Sequence, residues 1–431
     1  MTNNYKKGRL GYGPPSKNGI CFVEIVSGEE AAVGISNTGK LYSVGQGGEG
    51  QLGRGDITLS CSWGRVCSSC SFKCVIWGGG GGIQDDGFFI GMTVDGKLFS
   101  WGNNCCGQLG DGTTINRCQP VPVCCNYTYT EIIINGVVGD NSVVGIRTDG
   151  TAVAWGSNNA GQLGVGAVYN SSTVPVAVGC NYCYKKLAKN KWTFVGLKTD
   201  GTAVLWGSGA CLPIPICCNY CYSEISGGNN HYLGLKTDGT IVAWGSNNLG
   251  QLGNNSTIDS AITPVNVCGG GGWCKVCATD TSSSFAFKTN GQLYGWGCNG
   301  GGILGQGNSS SGVCQPVITD CSYCYCYFSI IKSVAVAIKT DGCAVAWGQQ
   351  TCGALGNNVA NTSSKCSPTA VCCDYSFYKA VVINSYLSGP SVIGIKTDGT
   401  TVAWGSNYHG QLGRGTSCCC SMVPVSSGNP S

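Results

Sequence analysis

One short phrase recurs eight times in this chain, most cleanly as GIRTDGTAVAWGSNNAGQLGVG from Gly145 to Gly166, and that repetition constrains the fold before any other property. The copies centre on Val44-Gly45, Trp101-Gly102, Trp155-Gly156, Trp206-Gly207, Trp244-Gly245, Trp296-Gly297, Trp347-Gly348 and Trp404-Gly405. Within one copy, the apolar and β-branched runs Val143 to Thr148 and Thr151 to Trp155 flank Asp149-Gly150, a strong hairpin signal. The pair returns at Asp95-Gly96, Asp200-Gly201, Asp238-Gly239, Asp341-Gly342 and Asp398-Gly399, and becomes Asn290-Gly291 and Thr38-Gly39 in the other two copies. Glycine persists because the turn needs a positive φ.

A Gly-Ser-Asn-Asn loop follows the tryptophan and leads to Gly161-Gln162-Leu163-Gly164, repeated at residues 50–53, 107–110, 250–253 and 410–413, the last with Gln411. A single Leu between glycines reads as a pinned loop. Next comes an extended segment marked by proline, at Pro122, Pro175, Pro213, Pro264, Pro316, Pro368 and Pro424, which suits an edge strand or a strand start. A Pro-led strand, a second strand such as Glu131 to Ile134, and the hairpin make four short strands per unit, with no helical period. Such a sheet cannot bury both faces alone. The units must stack radially and close, which predicts an all-β, closed β-propeller with four-stranded blades.

Eight signatures predict eight blades over residues 20–431, preceded by a polar tail over 1–19. The first unit starts near Ile20 without a Pro-led strand, and Met422-Val423-Pro424-Val425 is left over at the other end. The C-terminal strand is therefore expected to complete the first blade. The tryptophans, Trp155 and Trp404 among them, are expected as wedges between blades.

The combination T-D-G-x-x-x-x-W-G-x-N-x-x-G-Q-L-G, from Thr148 to Gly164 and again from Thr397 to Gly413, resembles the repeat of the RCC1 family of β-propellers. That resemblance implies a scaffold whose loops and rims bind partners, without implying a reaction, and seven blades of about this length are the family's usual number. Seven blades is thus the alternative to eight. The unit at Trp206 departs from the pattern by passing straight into Cys211-Leu212-Pro213, and Ile303-Leu304-Gly305 and Ala354-Leu355-Gly356 stand where others have Gln-Leu-Gly.

Only 11% of the residues are charged and the formal net charge is +4, so no dominant field draws in nucleic acid or an anionic membrane. Lys6, Lys7 and Arg9 are too few for a nucleic-acid arm and read as part of a solvated tail. Met1 to Gly19 lacks the apolar stretch of a secretory signal, and no apolar run reaches the length of a membrane span. The glycine runs at residues 78–82 and 269–272 are not followed by Lys-Ser or Lys-Thr, so no phosphate-binding cofactor site is expected. The Asn-x-Ser/Thr acceptors at Asn126, Asn170, Asn255, Asn308 and Asn361 read as chance in an Asn- and Ser-rich chain. His231 and His409 occupy unrelated repeat positions, and no carboxylate recurs beside them. The chain is expected to be no enzyme. Arg147, Lys198, Lys236, Lys288, Lys339 and Lys396 precede the hairpin turns and fall on one rim, either as a docking face for an acidic partner or as a solvated charge ladder.

The 32 cysteines are the second informative feature. Cys124-Cys125-Asn126-Tyr127-Thr128-Tyr129 is echoed by Cys180-Asn181-Tyr182-Cys183-Tyr184, by Cys217-Cys218-Asn219-Tyr220-Cys221-Tyr222, by Cys321-Ser322-Tyr323-Cys324-Tyr325 and by Cys372-Cys373-Asp374-Tyr375-Ser376-Phe377. Three readings compete. These thiols pair as disulfides in an oxidising setting, the set Cys61, Cys67, Cys70 and Cys74 wraps a zinc ion, or the cysteines are small hydrophobes. The disulfide reading, together with the low charge, the Gly-, Ser- and Asn-rich composition and the lack of a signal peptide, points to a structural or recognition module of an exposed assembly such as a phage virion tail or fibre, outside the cell, with other subunits or a surface receptor as partners. Propellers resembling this family also occur in phage and bacterial surface proteins. The alternative, implied by the family resemblance, is a regulatory exchange factor or scaffold acting on a small GTPase in the cytoplasm.

Overall fold

A computed structural model describes residues 20–28, 30–79, 87–136, 140–168, 171–218, 220–258, 261–309, 312–320, 322–359, 363–383, 389–417 and 420–427. Eight antiparallel sheets follow one another in chain order, each a meander of four consecutive strands. Blade 3 is typical: Tyr129–Asn135, Ser142–Arg147, Ala152–Gly156 and Ser172–Ala177. First strands of neighbouring blades lie against one another, so the first strand is innermost and the fourth is the outer edge. The count is eight, not seven.

The second strands are buried throughout, as Val143, Val144 and Ile146 show, because both faces of each sheet meet a neighbouring blade. Hydrophobic clusters accordingly straddle junctions. One joins Phe88, Ile90 and Leu109 of blade 2 to Tyr129, Val143 and Trp155 of blade 3.

The same backbone bond crosses every junction. The carbonyl of each hairpin-turn glycine accepts from the N–H of the aromatic residue that opens the next blade: Gly39 from Phe72, Gly96 from Tyr129, Gly150 from Tyr184, Gly201 from Tyr222, Gly239 from Trp273, Gly291 from Tyr325, Gly342 from Phe377, and Gly399 from Phe22. The last of these joins blade 8 to blade 1 at 3.0 Å and closes the ring. Gly150 sits at φ 86°, a conformation open to glycine at little cost.

One expectation is corrected here. The C-terminal strand, Ser421–Ser426, pairs with Thr401–Gly405 inside blade 8 and does not complete the first blade. Blade 1 supplies its own fourth strand, Ser60–Arg65, which pairs with Leu41–Gly45. The Pro-led strand ends each blade instead of starting the next, because the loop after the third strand returns the chain antiparallel to it. Ser60–Arg65 contains no proline, so it carries no such marker.

The blade 8 to blade 1 seam is held by side chains as well. Lys379 pairs with Glu24 at 2.8 Å, Ser27 donates its hydroxyl to the Val382 carbonyl at 2.9 Å, and His409 lies 3.3 Å from Glu30. Val44 stands where other blades have tryptophan, and Trp63 of the fourth strand packs with it in the cluster that contains Leu412 of blade 8.

Candidate functional site

On the face bearing the long loops, the signatures of blades 2, 3, 5 and 8 each fold into a self-satisfied unit. The Asn158 side-chain carbonyl accepts from Leu163 N–H at 3.0 Å, and that of Gln162 accepts from Ala160 N–H at 2.7 Å. Asn407 with Leu412 and Gln411 with His409 repeat the pattern in blade 8. Leu163 is thereby pressed into the junction, while the Gln162 carbonyl points at the following blade and accepts the Trp206 indole N–H at 3.0 Å. Equivalent bonds run from Trp101 to Gln51, Trp155 to Gln108, Trp296 to Gln251, Trp347 to Ile303 and Trp404 to Ala354, at 2.7–3.0 Å. Only the main-chain oxygen is used, which is why Ile303 and Ala354 serve as well as glutamine. Gly164, at φ 66°, allows the close approach: a Cβ there would meet Trp206 Cδ1 at 3.0 Å.

The opposite face carries the hairpin turns and is equally regular. Asp149 accepts from the amide and hydroxyl of Thr151 at 2.9 and 2.7 Å, and Asp398 does the same with Thr400. The Thr202 and Thr240 hydroxyls hold Asp200 and Asp238 down to about 2. The six rim cations are not a free charge ladder. Arg147, Lys198, Lys236, Lys339 and Lys396 each lie 2.9–3.3 Å from the aspartate two residues on. Each also sits 4.8–5.0 Å from the ring centre of Tyr127, Tyr182, Tyr220, Tyr323 or Tyr375 respectively, and Lys288 lies 3.8 Å from that of Trp273.

The axis of the ring holds a feature that reading each unit alone does not reveal. Every first strand carries a register shift just after its opening aromatic residue. A bulge of this kind re-aims side chains. Glu24, Cys74, Glu131, Lys186, Glu224, Lys275, Tyr327 and Lys379 occupy the position beyond it in blades 1 to 8. Acid and base alternate through blades 3 to 6, and Lys186 bonds Glu224 at 3.0 Å. Burial pushes the Lys275 ammonium down to about 8 against the pull of Glu224. These inner strands enclose a cavity of about 90 Å³ lined by Glu131, Lys186, Glu224 and Lys275, room for a few waters and far below a drug-sized ligand site. Aligning the eight opening aromatics and counting two residues onward would have exposed the series.

The family description "Regulator of chromosome condensation (RCC1) repeat" matches residues 95–138 and 222–251. The chain thus carries RCC1-type repeats within its eight-bladed propeller. The Protein RCC2 homolog of Xenopus laevis is 40% identical over 75 residues, 17% of this chain and 14% of that protein. Regulator of chromosome condensation from Mus musculus is 27% identical over 173 residues, 40% of this chain and 39% of its own length. The match thus spans less than half of either relative. The solved structure of Prp20p from Saccharomyces cerevisiae superposes with a TM-score of 0.62 at 16% identity, over 87% of this chain and 92% of that one, and shows the shared fold.

Within this RCC1-type propeller the expected disulfides are not formed. Cys124, Cys125, Cys180, Cys183, Cys217, Cys218, Cys221, Cys324, Cys372 and Cys373 carry free thiols, and Cys321 lies outside the described residues. The phrase serves another purpose. Its first tyrosine is the platform for the rim cation and its second is buried near the tryptophan, as Tyr182 and Tyr184 show. Cys183, Cys221 and Cys324 each lie against the turn glycine of the preceding blade, so copies are held a blade apart. The adjacent sulfurs of Cys217 and Cys218 are 3.2 Å apart, well beyond a bonded S–S distance. The zinc candidates also diverge: Cys67 donates to the Arg54 carbonyl, Cys70 packs on the junction before blade 2, and Cys74 on the one after it. Among the described residues no three His, Cys, Asp or Glu side chains gather as a metal site.

His231 is fully buried, bonded through Nε2 to the Ser284 hydroxyl at 2.8 Å and pushed by burial down to about 4. It is a neutral core group at physiological pH. No helix among the described residues is long and apolar enough to cross a membrane.

Proposed function

We propose that this RCC1-type propeller is a non-enzymatic regulator that binds a protein partner through its loop-bearing face, as an exchange factor or scaffold acting on a small GTPase. The observation that carries this reading is the contrast between the two faces. Hairpin turns are near-identical around one face, and their charges are spent on one another. On the other face, connections between first and second strands range from residues 332–333 in blade 7 to 79–87 in blade 2, 136–141 in blade 3 and 384–390 in blade 8. A recess of about 400 Å³, lined by Thr281, Cys298, Ile303, Lys332, Gln349 and Ser364, opens between blades 6 and 7 beside the loops. Individual surfaces on a rigid ring are how one scaffold distinguishes partners.

Prp20p, which shares the fold, is described with its binding to Gsp1p and histones, and a second structure holds Kap60 on the same yeast protein. The virion or extracellular reading drew in part on cysteine cross-links, and the described cysteines of the repeated phrase carry free thiols. The deciding assay is release of a fluorescent guanine nucleotide from a panel of small GTPases. Accelerated release, or stable binding of one nucleotide state, supports the proposal. A panel that neither responds nor binds overturns it.

A further inference from the structure

Seven of the eight junctions are filled by a loop, and one is not. Blade 4 turns from Ala203–Gly207 into Ala210–Pro215 through Ser208-Gly209 alone, so nothing from it reaches blade 5 as the signature loop does elsewhere. Two consequences are visible. The cluster at this junction is the one core cluster without a loop leucine, where the others hold Leu52, Leu109, Leu163, Leu252, Leu304, Leu355 or Leu412. Trp244, 4% exposed, has a buried indole N–H with no acceptor, although the six other tryptophans at this repeat position all donate to a loop carbonyl. Trp63 also lacks an acceptor, but it belongs to a fourth strand and approaches its loop from a different position.

The missing group has a defined chemistry. At the filled junctions the loop supplies a leucine, the carbonyl before it, and an N–H that bonds the outer strand of the next blade, as Gly55 bonds Cys118 and Gly166 bonds Cys211. The pattern is Gly-x-Leu-Gly-x-Gly, with Asn255 and Asn358 in the last place in blades 5 and 7. The tail contains it once more, as Gly8-Arg9-Leu10-Gly11-Tyr12-Gly13. Arg9 in place of glutamine is no obstacle, since only a main-chain oxygen is needed.

That segment cannot serve its own ring. Gly13 is seven residues from Ile20, a reach of roughly 25 Å. The junction lies halfway round, at the other end of the strands. Straight across a ring of eight blades spaced about 10 Å apart is already about 25 Å, and the axial travel along strands of six residues carries the junction beyond that reach. We propose that the open junction between blades 4 and 5 receives residues Gly8 to Gly13 of a second copy of the chain. Leu205, where other blades place Ser, Ala or Gly, leans on part of this surface and gives way to the incoming leucine. Leu205 is partly exposed and Ile214, its cross-strand partner, is 51% exposed. Because donor and acceptor are different surfaces, the contact is head-to-tail.

Light scattering of the full chain over a wide concentration range tests this, beside Leu10→Asp, which changes only the tail, and a variant whose Ser208-Gly209 turn is replaced by the blade 3 loop, residues 157–171. The wild type should gain mass with concentration, while both variants stay monomeric. A synthetic peptide of residues 5–16 should shift the Trp244 indole resonance, more readily in Leu205→Ala. A wild-type chain that is monomeric throughout overturns the proposal, as does an indole resonance that the peptide leaves unmoved.

Discussion

Trp155 donates its indole N–H to the carbonyl of Gln108, 2.9 Å away in the preceding blade, and so ties one blade to the next through a bond wholly out of contact with water. Trp155→Phe keeps most of the ring and leaves that carbonyl unpaired. It should cost about 1–3 kcal/mol, the usual penalty for a buried polar group without its partner. Trp244→Phe removes an N–H that has no acceptor, so it should cost clearly less. Urea unfolding of the two variants, compared at constant m-value, measures the difference.

The channel lysine sets a pH dependence. Lys275 titrates near 8 in the folded ring against an ordinary 10.5. Between those values the unfolded chain holds a proton that the folded chain lacks, so stability rises with pH across that window. Lys275→Met should remove that rise and be more stable than the wild type at pH 7, while Glu224 keeps Lys186 as its partner. Thermal melts of both proteins from pH 7 to 10 show whether the curves converge as expected.

Acid acts on the hairpin face. Asp200 and Asp238, held near 2 first by the Thr202 and Thr240 hydroxyls, contribute stability that is complete above the ordinary carboxylate range and lost as pH falls through about 2. Carboxyl carbon resonances should place both well below a surface aspartate. Thr240→Val should return Asp238 towards its normal titration.

Free thiols are the expectation for the cysteine phrase. Cys125, Cys183, Cys221, Cys324 and Cys372 are exposed, and iodoacetamide should label them in the native protein without reductant. Peptide mapping that finds these positions protected until reduction would restore the disulfide reading.

Much of this molecule was legible in the repeat. Asp149-Gly150 and Asp398-Gly399 are hairpin turns, Leu163 and Leu412 are pinned, and Trp155 and Trp404 wedge between blades, because each is a local consequence of residue type. What escaped depends on the ring. The unit boundary was placed one strand early because proline marks an outer strand but does not say which hairpin it joins. Glu24 and Lys379 are 355 positions apart and meet only once the circle is closed. Cysteine count suggested bonds, whereas the phrase repeats because its tyrosines carry the rim cations and fill the junction.

The most direct test of the central claim is a crystal structure or single-particle map of the ring viewed along its axis. It should show eight complete four-stranded sheets, with Phe22 bonded to the Gly399 carbonyl across an unexchanged seam. Seven sheets, an open gap, or residues 421–426 added to the first sheet would contradict it.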